Sequence, residues 1–204
     1  MHWNLTDLAA LQHQIHHALA AAPTNPSDPL RTAAFVTSSD RGTPAQPTAR
    51  TVVLRRADAD LRQLIFHTDA RSPKLREIEN HSAVAWLFHD PAAQIQIRAE
   101  GTARRAPTDE LVRAAWDASP LANRSNYCTP LPPGAPLTDP AAARPAAWQH
   151  REPTLAETEI GWPNFAVLIT TITRLEWLRL HPQGARRARF DWTGTAWTAH
   201  WLVP

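Results

Sequence analysis

Two periods of apolar and polar positions run along the chain. Residues 4–22, within MHWNLTDLAALQHQIHHALAAAP, carry apolar side chains at helical spacing and predict one amphipathic helix. The pattern then shortens to strand period. TAAFVTSS, QPTARTVVLRR and LRQLIFHT are β-branched or apolar runs separated by DRGTP and ADAD, which is turn chemistry, and they predict a three-strand meander. In RSPKLREIENH helical spacing returns at Leu75 and Ile78, with Ser72 placed as N-cap and Pro73 at the first helical position. AVAWLFHD and AQIQIRAEGTARRA alternate again around a DPA turn, and residues 107–117 predict a further helix capped by Thr108. FAVLITTITRLEWLRL, ARRARFDWTG and TAWTAHWLVP predict three last strands, the final pair joined at TGT. Three strands alone bury too little, so they must join the earlier ones. The fold class expected is mainly β with flanking α: a closed or split antiparallel barrel with helices at its ends.

Between about 119 and 163 the composition shifts to Pro, Ala, Asn and Thr without clear periodicity, which predicts a functional loop or an excursion from the barrel. With 204 residues and 43% hydrophobic side chains, one well-buried domain over 1–204 is the expectation. A single cysteine, Cys128, excludes an internal disulfide framework and suits a reducing compartment, so a cytoplasmic protein is expected. The first residues lack a basic n-region and read as a helix, not a signal peptide, and no run is long enough to span a membrane. A net charge of only +2, with arginines dispersed among acids, argues for local anion sites over nucleic-acid binding.

The sharpest chemical signal is HTDARSPK, residues 67–74. Of the 21 basic side chains, Lys74 is the lone lysine, and it stands two residues after Ser72 at a predicted helix start. Free backbone N–H groups, a hydroxyl and cations together suit a phosphate. His13, His16 and His17 share helical spacing, but no local carboxylate or cysteine completes a metal set, and a solvated helix face is the plainer reading. Trp192, Trp197 and Trp201 suit core or interface packing better than a base-stacking platform. Cys128 has no nearby His or Asp and its setting does not suit a tuned nucleophile.

Five fragments in order, RGTPAQPTARTVVLR, FHTDARSPK, QIRAEG, RLEWL and RRARFDW…WLVP, resemble the FMN-binding split-barrel family typified by pyridoxamine 5'-phosphate oxidase. The TDARSPK form resembles the oxidase-related subfamily more than the vitamin B6 enzyme itself. The resemblance implies FMN as cofactor, held by Arg50, Thr51, Val52 and Val53 on one strand, His67 and Thr68 beside the ring, and Ser72 and Lys74 at the phosphate. Where the family has an arginine before that lysine this chain has Pro73, with Arg71 two positions before Pro73. Gln96 and Arg189 fall where relatives contact the flavin, and Leu178 stands where the B6 enzyme has a tryptophan, with Trp177 pointing the other way. For Arg50 and Gln96 the alternative is an outward polar position on an alternating strand. Arg55, Arg124, Ser125, Arg186 and Arg187 are the candidates for an anionic small-molecule substrate. The B6 enzyme's Arg-x-His element reads Ala185-Arg186-Arg187 here, which argues against pyridoxine phosphate. The resemblance also implies a homodimer. The leading reading is an FMN-dependent oxidoreductase in which the flavin carries the chemistry, so no catalytic side chain and no metal are expected. A non-catalytic flavin- or haem-binding barrel and a Trp-rich interaction module are the alternatives.

Overall fold

The computed structural model describes residues 3, 6–39, 45–58, 62–107 and 109–204. The amino-terminal helix α1 spans Leu8–Ala21. It begins there because the Asp7 carboxylate accepts hydrogen bonds from the Ala9 and Ala10 amides at 2.8 and 3.2 Å. Its buried residues, Leu11, Ile15, Ala18 and Leu19, keep the spacing of one helix face. Of the expected span, residues 4 and 5 lie outside the described residues, as do the turn at 40–44, residues 59 and 60 of the second turn, and the proposed cap Thr108.

Eight antiparallel strands follow the period-two runs: β1 Thr32–Ser39, β2 Gln46–Ala57, β3 Gln63–Asp69, β4 Ala83–Asp90, β5 Ile95–Arg105, β6 Phe165–Arg179, β7 Arg186–Trp192 and β8 Trp197–Leu202. Helix α2, Pro73–Asn80, separates β3 from β4, and α3, Asp109–Asp117, follows β5. The strand order β3-β2-β1-β4-β5-β6 closes through β3–β6 pairing into a six-stranded barrel, which β7 and β8 extend as a hairpin. Closure removes the unpaired edges that an open sheet exposes. The two predicted hairpin turns form as their residues require. Asp90 Oδ1 accepts from the Ala92 and Ala93 amides at 3.0 Å, and Gly194, at φ +104°, lets the Thr193 amide reach the Ala196 carbonyl at 2.9 Å. Among the described residues no helix is long and apolar enough to cross a membrane.

The described chain divides into two compact units. The first holds the segments up to Phe66, Glu77–Arg104 and from Ile169 onward. Its core is a run of fully buried rings: Phe35, Phe66 and Trp86 lie 4.8 to 5.4 Å apart, and Trp86 stacks on Phe88 at 5.7 Å. Burying one such side chain contributes about 1.5–3 kcal/mol, so this cluster outweighs any single hydrogen bond in the unit. The Trp86 indole is satisfied by Thr170 Oγ1 at 3.1 Å. On the opposite faces of β1, β2 and β4 stand small or apolar residues, Ala34, Val36, Ala49, Ala85 and Leu87, paired in register across the three strands.

The second unit holds His67–Arg76 and Arg105–Leu168. Phe165 is its centre, with the rings of His67, Trp116 and Tyr127 at 4.9 to 5.2 Å. The segment without periodicity is built here from helix α4, Leu121–Ser125, and short 3-10 turns, the longest over Glu157–Asn164. A capping box starts that last turn. The Thr154 amide donates to Glu157 Oε2 at 2.7 Å, and the Glu157 amide donates to Thr154 Oγ1 at 3.3 Å.

Gly101 is the position where the first unit tolerates no side chain. A β-carbon there would stand 2.0 Å from the Thr171 carbonyl oxygen and 2.9 Å from its carbon, both backbone atoms of β6. Gly101→Ala should therefore destabilise the protein by about 3 kcal/mol, the upper end of overpacking costs. Thr102→Ala, at the next and exposed position, should stay within about 0.5 kcal/mol of the parent. Urea unfolding of both variants checks this; equal midpoints would show that β5 and β6 separate freely.

Candidate functional site

In the second unit the strand end and helix start of HTDARSPK bring three predicted residues together. Thr68 and Ser72 are buried hydroxyl residues, and the Lys74 ammonium donates to Thr68 Oγ1 at 2.7 Å and to Ser72 Oγ at 2.6 Å. Ser72 sits one residue before α2, where its carbonyl accepts from the Leu75 amide at 3.0 Å. Pro73 takes the first helical position at no cost, since that amide has no intrahelical partner. A cation and two hydroxyls at a helix N-terminus make a donor set suited to phosphate. His67 lies beside them on β3, its ring edge-on to Phe165.

Arg71 lies in the same turn and is bonded on two sides. Its guanidinium grips Asp69 through two parallel bonds of 3.0 and 2.8 Å and also donates to the Thr129 carbonyl and hydroxyl at 3.1 and 3.0 Å. The hydrogen bonds that Arg71 donates to Asp69 raise its pKa above the ordinary value. Arg71 ties 69–71 to Thr129 within this unit.

In the first unit Arg50 shares the inward face of β2 with Val52 and Leu54, opposite Phe35, so it is no outward charge on an alternating strand. Its guanidinium donates to Glu77 Oε2 at 2.8 Å and to Thr48 Oγ1 at 2.8 Å, and it also bonds Thr37. Glu77 Oε2 accepts from Thr37 as well, at 2.6 Å. Burial alone would raise the Glu77 carboxyl, but the bonds from Thr37 and Arg50 outweigh it and hold it below the ordinary carboxylate range. Thr51 and Val53 alternate outward on β2, and Val52 is buried. Arg55 stands at a β-bulge between Leu54 and Arg56, the kind of irregularity that re-aims a side chain.

Gln96 and Leu178 line one pocket of the first unit, about 200 Å³, with His89, Pro91, Gln94, Ile95 and Leu180. Trp177, next to Leu178, is fully buried on the opposite strand face, with Trp3 at 5.9 Å. A second opening of about 520 Å³ is lined by Arg186 and Arg187 with Ala185, Trp201, Leu202 and Val203. Arg187 donates to Glu176 at 2.6 Å, and Arg189 pairs with Asp191 at 2.8 Å. These two arginines are therefore partly neutralised.

Residues 9–106 match the family model described as pyridoxamine 5'-phosphate oxidase, FMN-binding domain. That is 98 of its 204 residues, over which the chain is similar to that family. A pyridoxine/pyridoxamine 5'-phosphate oxidase of Xanthomonas euvesicatoria is 34% identical over 109 residues, 52% of this chain and 53% of that protein. The chain spans about half the length, or less, of the curated relatives it matches. The likeness of fold covers far more. A pyridoxamine 5'-phosphate oxidase-related, FMN binding protein of Nostoc punctiforme superposes with a TM-score of 0.73 at 24% identity, covering 98% of this chain and all of that one. PhzG of Burkholderia lata, solved with tetrahydrophenazine-1-carboxylic acid, gives 0.70 at 18% identity over 94% and 91% of the two chains.

Arg124 and Ser125, expected near a substrate, both bond within the second unit. Arg124 is 3% exposed, and its guanidinium donates to the carbonyls of Trp116, Asp117 and Ser119 and to Glu159 at 2.9 to 3.2 Å. The Ser125 hydroxyl donates to the Leu121 carbonyl at 3.0 Å. Both groups are turned into the packing of α4. Among the described residues no cluster of three or more His, Cys, Asp or Glu side chains could hold a metal, and the His13 and His16 rings merely meet edge-on at 6.5 Å. Trp192 and Trp197 pack on each other across the β7–β8 hairpin, with the Arg62 guanidinium 3.8 Å over Trp192. Burial pushes the Cys128 thiol up, away from nucleophile chemistry. Sequence reading missed Glu77, Thr37 and Asp69. Thr37 carried a signal, since it continues the inward parity of Ala33 and Phe35 on β1.

Proposed function

We propose that the protein binds flavin mononucleotide, with the phosphate on Thr68, Ser72 and Lys74, and acts as an oxidoreductase on a small anionic substrate. The observation that carries this reading is the Lys74 ammonium gathered with two buried hydroxyls at the start of α2. FMN, when bound, supplies a ring that accepts hydride. The chain's own residues supply binding and orientation. Lys74 offers a compact cation that reaches a phosphate oxygen from the first helical turn, and the α2 N-terminus adds its dipole. The Gln96 amide donates and accepts, which suits the mixed polar edge of an isoalloxazine, while Leu178 gives the same pocket an apolar wall. Arg186, beside Trp201 and Leu202, offers a cation and apolar surface to a substrate.

The functional unit of this reading is a homodimer. The small apolar outward face of β1, β2 and β4 supports it, because such a face gains by being covered. Light scattering at micromolar concentration should give twice the chain mass; a monomer removes this part of the reading.

Lys74→Ala should weaken FMN binding by about 1.5–3 kcal/mol, the worth of a hydrogen bond to a charged group. Lys74→Arg should fall between that variant and the parent. Flavin fluorescence titration reads both, and parent-like affinity in the alanine variant would place the phosphate elsewhere.

Oxidation of pyridoxine 5'-phosphate should be slow or absent in the FMN-loaded protein. Ala185 replaces the first arginine and Arg187 the histidine of the B6 enzyme's element, and Arg187 is already held by Glu176. A site lacking its positioned donor loses transition-state stabilisation. Turnover matching a dedicated B6 oxidase would show that another residue fills that role.

A further inference from the structure

We infer that Glu77 is a positioning residue for the phosphate cradle, orienting α2 so that Lys74 meets the FMN phosphate; the inference rests on the FMN reading above. Lys74 and Glu77 stand three residues apart on the same helix, Pro73–Asn80. A helix of eight residues is too short to hold itself in water, so its placement comes from its anchors. Leu75 and Ile78 bury apolar surface, which fixes how deep the helix sits but not its angle, because hydrophobic attraction has no direction. Glu77 supplies the direction. It is 5% exposed, and its Oε2 collects donors from Thr37 on β1 and from Thr48 and Arg50 on β2 at 2.6 to 3.3 Å. Charge-assisted bonds of this kind are short and angle-dependent.

The same network assigns Arg50 its role. Both terminal nitrogens of the guanidinium are engaged by Thr37, Thr48 and Glu77. Through Glu77, Arg50 helps to fix the angle of the helix. Glu79, two residues further along α2, is exposed and takes no part in this network.

The test titrates FMN and riboflavin, which lacks the phosphate, against the parent, Glu77→Gln, Lys74→Ala and the double variant. Glu77→Gln should weaken FMN about tenfold and leave riboflavin unchanged, and it should add nothing once Lys74 is alanine. Thr37→Val, a milder change that keeps the side-chain volume, should weaken FMN about threefold with the same indifference to riboflavin. Tighter FMN binding by Glu77→Gln would mean that Arg50 is released to the phosphate, and would overturn the inference. Equal loss of FMN and riboflavin, or additive effects of the two substitutions, would reduce Glu77 to a structural residue. Loss of affinity in Lys74→Ala without loss in Glu77→Gln removes this inference alone. Full affinity in Lys74→Ala removes the cradle and the inference together.

Discussion

The approach of β6 to β5 at Gly101 is the constraint on which the barrel rests. With hydrogen in place of a side chain, the Thr171 backbone lies where a β-carbon would otherwise be. Strand β6 can then pair with β5 and with β3, and the sheet closes. The closed sheet keeps its ring cluster away from water and satisfies its own backbone groups. Everything chemically interesting in the first unit hangs from that frame: Gln96 on β5, Leu178 on β6, and the inward-facing Arg50 on β2.

Electrostatics divides the basic residues into two kinds. Arg50, Arg71, Arg124, Arg187 and Arg189 each face a carboxylate within 2.9 Å. Such pairs are costly to break from one side when buried, by about 3–5 kcal/mol, and so they specify local geometry. Lys74 donates to the Thr68 and Ser72 hydroxyls at a helix start. The planar forks of these arginines stiffen the scaffold, and the compact ammonium of Lys74 ties a strand end to a helix start. That division makes physical sense of an arginine-rich chain with one lysine.

The strands were legible because their period and their turn residues agree. Val36, Thr37 and Ser38 alternate as written, and Asp90 and Gly194 do what their backbones allow. The start of α1 was less so, since the sequence offers Asn4 and Thr6 as well as Asp7 as residue types suited to a cap. The segment 119–163 hid its structure because its helical turns are too short to show a period. Its capping box, Thr154 to Glu157, was nonetheless written in the T-x-x-E spacing. At the candidate site the fragment 67–74 could be read because its partners are close in sequence. Arg50 with Glu77, and Arg124 with Glu159, join residues 27 and 35 positions apart. Nothing local in LREIEN marks Glu77 as buried and Glu79 as exposed.

The packing around Cys128 has an experimental use. The lone thiol is buried in the second unit, and its Sγ lies 3.4 Å from the Arg124 and Thr158 carbonyls. The Gly161 backbone presses against it so closely that a β-carbon there would come within 2.7 Å of the sulfur. A thiol reagent must wait for this packing to open, so its reaction rate counts openings around α4 and the last 3-10 turn under native conditions. With one cysteine in the sequence, that clock has no background.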